Sequence, residues 1–186
     1  MTSSRRIPGE LGIWLFVAGD LIVFGVFFVL IALGQRQSTD VFVQSRAQLD
    51  LWIGVANTLL LLTASWFVAT AVERHRQGER SACARLITLA MLCGAGFVAN
   101  KAVEWSGKLQ QGITPATNEF FMYFFVFTGI HLLHVLVGIG VLGILRGVSR
   151  KPEAAPHDLR TLESGATFWH LVDLLWIVLF ALLYLL

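Results

Sequence analysis

Ionisable side chains interrupt stretches of this sequence that are otherwise strongly apolar. His131 and His134 are three residues apart and share one face of a predicted helix. His170 and Asp173 have the same spacing on a second predicted helix. Histidine and carboxylate side chains can bind a metal or haem, relay protons, or form a structural polar network.

Asp20 lies in the middle of the first apolar stretch. It must be protonated, paired or facing a wet cleft there, because an isolated carboxylate is too costly.

A haem or metal site is one interpretation of these histidines, and their depths argue against it. Two haem ligands must face each other at nearly the same level. Measured from helix ends on one side of the membrane, His134 lies about 17 Å deep and His170 about 6 Å deep. His131 and His134 would need a further ligand to hold a metal, and Asp20 is the obvious candidate. The pattern therefore favours a polar network or helix–helix hydrogen bonding. Asp20 and His134 have similar depths, which predicts a direct or water-mediated hydrogen bond between them.

Two further polar pairs lie in the outer halves of predicted helices. Asn57 and Thr58 are expected to form hydrogen bonds between helices, a common role for such residues in membranes. Lys101 and Glu104 are three residues apart and oppositely charged, which predicts a structural ion pair near the membrane interface. The long side chain of Lys101 can reach the headgroup level at little cost.

The elements that carry these side chains are five apolar stretches, each long enough to cross a bilayer as a helix. A spanning helix needs about 20 mostly apolar residues. The predicted spans are residues 11–33, 51–72, 84–105, 120–145 and 166–186. The connectors between them are short and polar, and no internal repeat is evident. The predicted fold is an all-α membrane protein, a five-transmembrane-helix bundle in which residues 1–186 form a single domain.

Composition and motifs exclude several other classes of protein. Only 14% of the 186 residues are charged and 56% are hydrophobic, whereas soluble domains contain about 25% charged residues. The net charge of +2 is too small to indicate a nucleic-acid partner.

Cys83 and Cys93 match neither a metal motif nor a disulfide framework. Phosphate-binding loops, nucleophile elbows and zinc signatures are absent, so nothing in the sequence indicates a free-standing enzyme. The broken helices and paired repeats typical of transporters are absent too.

Basic residues are distributed unevenly between the two predicted sides of the membrane, and such residues are enriched in cytoplasmic loops. The richer side carries Arg5, Arg6, Arg74, Arg76, Arg80, Arg85, Arg146, Arg150, Lys151 and Arg160. The poorer side carries Arg36, Arg46, Lys101 and Lys108. This asymmetry predicts a cytoplasmic N-terminus and, with an odd number of spans, a periplasmic C-terminus.

Two sequence runs resemble the cytochrome c oxidase subunit III family in its five-helix form. The run TGIHLLHVLVG at residues 128–138 is similar to the signature of that family's fourth helix. The run ESGATFWHLVDLLW at residues 163–176, followed by Tyr184, resembles its last helix. Weaker matches are the acidic residue Asp20, the pair Asn57-Thr58, the connector Gly78-Glu79-Arg80 and Glu104. The resemblance extends from about Gly12 to Tyr184.

The resemblance implies a non-catalytic accessory subunit of the haem–copper oxidase superfamily. Such subunits bind no haem or copper themselves, pack against a catalytic subunit I-type membrane protein, hold lipids and support proton uptake. The chain lacks the two extra N-terminal helices of the longer members. The runs Lys101-Ala-Val-Glu104 and Asn118-Glu-Phe-Phe121 look closest to the NorE accessory proteins of nitric oxide reductase. The expected function is therefore NorE-type activation or assembly. The alternatives are subunit III of a quinol or cytochrome c oxidase and, more distantly, a small haem-binding membrane cytochrome or a proton channel.

The expected site is a surface of polar residues and contains no catalytic, cofactor-binding or metal-binding residue. The candidates for an intramembrane polar network or partner interface are Asp20, Asn57, Lys101, Glu104, His131, His134, His170 and Asp173. Arg80 and Trp169, near the inner interface, are candidates for contacts with lipid headgroups. Haem, with copper or non-haem iron, is expected in the partner subunit, and phospholipid is expected on this chain. The expected location is a bacterial inner membrane, as a multi-pass protein.

Overall fold

A computed structural model describes residues 9–151 and 157–186, and these ranges are almost entirely helical, with no β-strand. The basic residues Arg5 and Arg6 lie outside the described residues. The helices are α1 (Leu11–Gln37), α2 (Thr39–Arg46), α3 (Leu51–Arg76), α4 (Arg80–Gln110), α5 (Glu119–Ser149) and α6 (Asp158–Phe180), which continues into a π-helical turn (Ala181–Leu185). All of these except α2 are long and apolar enough to cross a membrane. The predicted five-span, all-α fold is confirmed.

The helices extend beyond the predicted spans at their polar ends. Helix α6 begins at Asp158 instead of residue 166, and α4 ends at Gln110 instead of residue 105. An apolar run marks only the part of a helix that crosses the hydrocarbon, while the helix itself continues into the interface. The short helix α2 lies within a segment predicted to be a polar connector. Its Phe42 is fully buried and packs edge-to-face on Phe120, with ring centroids 5.4 Å apart.

Local signals fix where the helices begin and end. The side chain of Asp50 caps α3 by accepting a hydrogen bond from the backbone N–H of Trp52. Asn118 caps α5 in the same way. Helices α3 and α4 are each followed by a glycine in the left-handed conformation, Gly78 with φ of 82° and Gly112 with φ of 76°. These turns set short connections and force antiparallel packing of successive helices.

Helices α3, α4, α5 and α6 form a four-membered ring around the main core. In this ring α3 contacts α4 and α6, and α5 also contacts α4 and α6. Helix α1 lies outside the ring, against α5 and α6, and α2 packs on α5 and α1. Candidates on the inward faces of α3–α6 can therefore meet inside one bundle, whereas Asp20 on α1 can meet only residues on the outer side of that bundle.

Candidate functional site

Asp20 and His134 form a hydrogen-bonded pair between α1 and α5. The Nε2 atom of His134 lies 3.2 Å from Oδ1 of Asp20. The other ring nitrogen, Nδ1, lies 2.8 Å from the carbonyl oxygen of Ile130. Both side chains are mostly buried, and Phe24 packs edge-to-face on the imidazole. The direct contact predicted from matched depths is present.

This geometry fixes how many protons the pair holds. A carbonyl oxygen only accepts hydrogen bonds, so Nδ1 of His134 must carry a hydrogen. The bond between Nε2 and Asp20 then contains one further proton. That proton resides either on the carboxyl group, beside a neutral imidazole, or on the imidazole, beside a carboxylate. In both arrangements the pair is neutral overall, which is the state that a low-dielectric environment favours.

His131 takes no part in this pair, although it lies only three residues earlier on α5. It is fully buried, with ring centroids 5.6 Å from Phe97 and 5.3 Å from Trp176. Neither ring nitrogen has a hydrogen-bond partner among the described residues. The network predicted for the two histidines is thus incomplete in the structure. The described residues also contain no cluster of three or more histidine, cysteine or acidic side chains that could hold a metal.

Lys101, Glu104 and Tyr184 form a closed triangle of hydrogen bonds inside the bundle. The Nζ atom of Lys101 donates to Oε2 of Glu104 at 2.7 Å and to the hydroxyl of Tyr184 at 2.9 Å. The Tyr184 hydroxyl donates to Oε1 of Glu104 at 2.6 Å. Because each charged group has a charge-assisted partner, the triangle can be buried at tolerable cost.

The expectation that Lys101 reaches the headgroups is wrong. Its side chain is 0% exposed, and its ammonium group lies 4.8 Å from the ring centroid of Phe124 and 5.0 Å from that of Trp176. These ring faces stabilise the cation in place of water. The ion pair with Glu104 exists as predicted, but it lies in the core and not at the interface.

Asn57 and Thr58 differ in their contacts although they are neighbours on α3. Thr58 accepts a hydrogen bond of 3.0 Å from Nε1 of Trp176 on α6, so the predicted bond between helices is present. Asn57 is fully buried, and neither polar atom of its side chain has a partner among the described residues. The interhelical hydrogen bond predicted for Asn57 is therefore absent.

His170 interacts with a serine that the sequence analysis did not single out. Its Nδ1 atom lies 2.6 Å from Oγ of Ser65 on α3. Asp173, one turn further along α6, is mostly buried, and its Oδ1 atom has no hydrogen-bond partner among the described residues. Of the predicted His170–Asp173 pair, His170 is thus the member that Ser65 holds in place. A serine in an apolar helix gives no distinct sequence signal, because it can equally bond to its own backbone.

The two candidates for lipid contacts lie in different environments. Trp169 is 1% exposed, because Gly94 and Gly138 make room for its ring. A Cβ atom at either glycine would lie 3.0 Å from the indole. The expectation that Trp169 contacts headgroups is therefore wrong. Arg80 lines an open cavity of about 480 Å³ together with Arg85, Arg150 and Lys151, and it donates a hydrogen bond to the backbone carbonyl of Lys151.

A clamp near the N-terminal end of α6 ties three segments together and was not predicted. Glu163 on α6 accepts a hydrogen bond of 3.0 Å from Arg76 at the end of α3. The same carboxylate accepts the backbone N–H of Gly9, also at 3.0 Å. Glu10 adds a bond from its own backbone N–H to the Ser164 hydroxyl. The segment leading into α1 is thereby fixed to α3 and α6.

The fold and these sites define a helical membrane protein in which the ionisable pairs Asp20–His134 and Lys101–Glu104 lie within the membrane-spanning helices. The family model described as cytochrome c oxidase subunit III matches residues 7–186. The cytochrome bo(3) ubiquinol oxidase subunit 3 of Pseudomonas putida is 30% identical over 182 residues, or 95% of this chain and 84% of the relative. The quinol oxidase subunit 3 of Bacillus subtilis is 29% identical over 177 residues, or 94% and 85% of the two chains. The cytochrome c oxidase subunit 3 of Thermostichus vulcanus is 29% identical over 178 residues, or 95% and 86%.

The chain belongs to the cytochrome c oxidase subunit III family. Members of this family are non-catalytic accessory subunits of respiratory oxidases. With its five apolar helices and its bacterial relatives, the chain is a multi-pass protein of a bacterial inner membrane.

Proposed function

We propose that this chain is subunit III of a quinol or cytochrome c oxidase and packs against a catalytic subunit that contains the haem and copper. The observation that carries the proposal is the match to the family over nearly the whole chain, with relatives at 29–30% identity that are named as oxidase subunits. In this role the chain stabilises the complex and supports proton uptake by its partner. The net-neutral Asp20–His134 pair supports that role, because it holds a proton within the membrane part of the bundle.

The experiment is purification of the native complex from its source membranes in a mild detergent, with an affinity tag on this chain. We expect a large haem-bearing membrane subunit to copurify, and its reduced-minus-oxidised spectrum identifies the haem. An intact oxidase that never contains this chain under those conditions would overturn stable membership in the complex.

The NorE-type function is the second candidate, and it rests on the runs Lys101-Ala-Val-Glu104 and Asn118-Glu-Phe-Phe121. The named relatives favour the oxidase. Deletion of the gene distinguishes the two functions. Under our proposal, quinol- or cytochrome c-driven oxygen consumption falls and nitric oxide reduction is unchanged. The opposite result would assign the chain to nitric oxide reductase.

The proposal also requires that haem resides in the partner and not in this chain. The purified chain, separated from its complex, should give no haem band in a pyridine haemochrome spectrum. A stoichiometric haem band would favour the small-cytochrome interpretation, with His131, His134 or His170 as ligands. Phospholipid is expected to copurify, with Arg80 among its contacts.

A further inference from the structure

A line of polar side chains, some buried and some exposed, follows the contact between α3 and α6. At its inner end Arg76 donates to Glu163 at 3.0 Å. Thr167 lies one turn further along α6, and His170 follows nearly another turn on, 2.6 Å from Ser65 on α3. We call this line the polar seam, and it consists of Arg76, Ser65, Glu163, Thr167 and His170.

His170 is the deepest member of the polar seam and remains exposed on the surface of the bundle. It lies seven residues beyond Glu163, about 10 Å along the helix axis. Because α6 begins at Asp158 and not at residue 166, His170 is about 18 Å from the start of its helix instead of the predicted 6 Å. Its Nδ1 atom is occupied by Ser65, and its Nε2 atom has no hydrogen-bond partner among residues 9–151 and 157–186. Whichever tautomer is present, Nε2 is either an unpaired donor or an unpaired acceptor.

An unpaired ring nitrogen at this depth is poorly suited to contact with lipid tails. Polar groups in the hydrocarbon region face other protein or water, because lipid offers them no partner. The middle parts of α1 and α5 expose mainly apolar side chains, such as Leu15, Ile22, Leu133 and Ile144. The α3–α6 surface differs from these two surfaces, because its chemistry calls for a protein neighbour.

The shape of the polar seam also suits a neighbouring helix. Ala69 on α3 and Ala166 on α6 line a shallow groove of about 180 Å³, together with Thr167 and His170. Small side chains let another helix approach closely, and hydrogen bonds then form between polar side chains across the contact. A lipid phosphate resides at the headgroup level, beside Arg76, and does not extend to His170. Side chains of a spanning helix are available at every depth.

We propose that the polar seam is the surface on which a transmembrane helix of the catalytic subunit docks, with a hydrogen-bonding side chain of that helix meeting Nε2 of His170. This inference rests on the proposed function and adds which face of the bundle contacts the catalytic subunit.

The test places a photo-crosslinking residue, p-benzoylphenylalanine, at Leu174 or at Leu136 in the intact complex. Leu174 lies one turn beyond His170 on α6 and is 48% exposed, and Leu136 on α5 is 49% exposed. Their depths are similar, about 24 and 20 Å from the inner ends of their helices, and α5 is not adjacent to α3 in the ring. We expect an adduct with the catalytic subunit from Leu174 and none from Leu136, identified by mass spectrometry after illumination.

A second measurement tests His170 itself. The His170→Phe variant keeps a ring of similar size and removes the hydrogen bond, so retention of the chain on the complex during detergent washing should weaken by roughly threefold to thirtyfold, the equivalent of one intramembrane hydrogen bond. The Leu136→Phe variant should be retained like the wild type. Three results would each overturn the polar seam as the docking surface. They are an adduct from Leu136 alone, no adduct from either position in a complex that copurifies, and unchanged retention of the His170→Phe variant. Failure of the wild-type chain to copurify with any haem-bearing subunit overturns the proposed function instead.

Discussion

The Tyr184 hydroxyl on the π-helical turn accepts a hydrogen bond from Lys101 on α4, across 83 residues of sequence. The same hydroxyl donates to Glu104, so a neutral side chain completes the pairing of a buried cation and a buried anion. Gly54 makes this possible, because a Cβ atom there would lie 2.9 Å from the tyrosine ring. The triangle therefore joins α4 to the end of α6, and Gly54 of α3 packs against the tyrosine ring at the same point.

Removal of Lys101 should be more damaging than removal of Tyr184. Lys101→Met leaves Glu104 buried without its cation, which costs about 3–5 kcal/mol of unfolding free energy. Tyr184→Phe removes hydrogen bonds to charged partners and should cost about 1.5–3 kcal/mol. Thermal denaturation of the purified complex, followed by circular dichroism, measures the difference.

The double variant Lys101→Met/Glu104→Gln is the control for this prediction. It removes both charges, so it should be more stable than Lys101→Met alone. A double variant that is less stable than Lys101→Met would show that the loss does not come from an unpaired Glu104.

The protein should tolerate an amide side chain in place of Asp20 better than an aliphatic one. Asp20→Asn retains a group that can donate to Nε2 of His134, whereas Asp20→Leu leaves that nitrogen unpaired at a cost of about 1–3 kcal/mol. We expect Asp20→Leu to lower both retention on the complex and proton-linked activity, and Asp20→Asn to have a smaller effect on retention. Cys93→Ser, elsewhere in the bundle, is the control. Equal and negligible effects of Asp20→Leu and Cys93→Ser would remove Asp20 from the functional residues.

Two glycines on α5 provide a matched pair for testing the packing of Trp169. A Cβ atom at Gly138 would lie 3.0 Å from the Trp169 ring, whereas Gly140 has no atom within 4 Å of its Cβ position. Gly138→Ala should therefore cost about 1–3 kcal/mol through overpacking. Gly140→Ala should be neutral or slightly stabilising, because alanine favours a helix by about 1 kcal/mol over glycine. Equal melting temperatures for the two variants would contradict this account.

The distribution of basic residues predicts the orientation of the chain. Alkaline phosphatase fused after the last helix should be active, because this enzyme folds in the periplasm. A fusion in the connector between α3 and α4, which follows Arg74 and Arg76, should be inactive. The reverse pattern would invert the assignment of inner and outer sides.

The five spans were predictable because the apolar stretches are long and well separated. The Asp20–His134 contact was predictable too, since each of two helices carries a polar group at a similar depth. The bounds of the helices were harder, because helices continue into polar interface residues such as Asp158 that hydropathy excludes. Helix α2 was missed for a related reason, since its eight residues are mostly polar and one buried phenylalanine holds it in place.

The direction of a side chain was the main property that sequence reasoning could not supply. The spacing of Lys101 and Glu104 predicted their pairing. Whether this pair lies at the headgroup level or in the core depends on Tyr184, which is 80 residues beyond Glu104. Trp169 was expected at the interface because tryptophan is common there. The two glycines that admit it to the core lie on other helices, so their role is visible only in three dimensions.

The position of α1 outside the ring has a consequence for biosynthesis. Asp20 is made 114 residues before His134, which at ribosomal rates of about 5–20 residues per second corresponds to roughly 6–23 s. During that interval the nascent first helix has no histidine to meet. An ionised carboxylate without a partner is costly in the bilayer, so Asp20 must be protonated or stay in contact with water until the helix that carries His134 arrives.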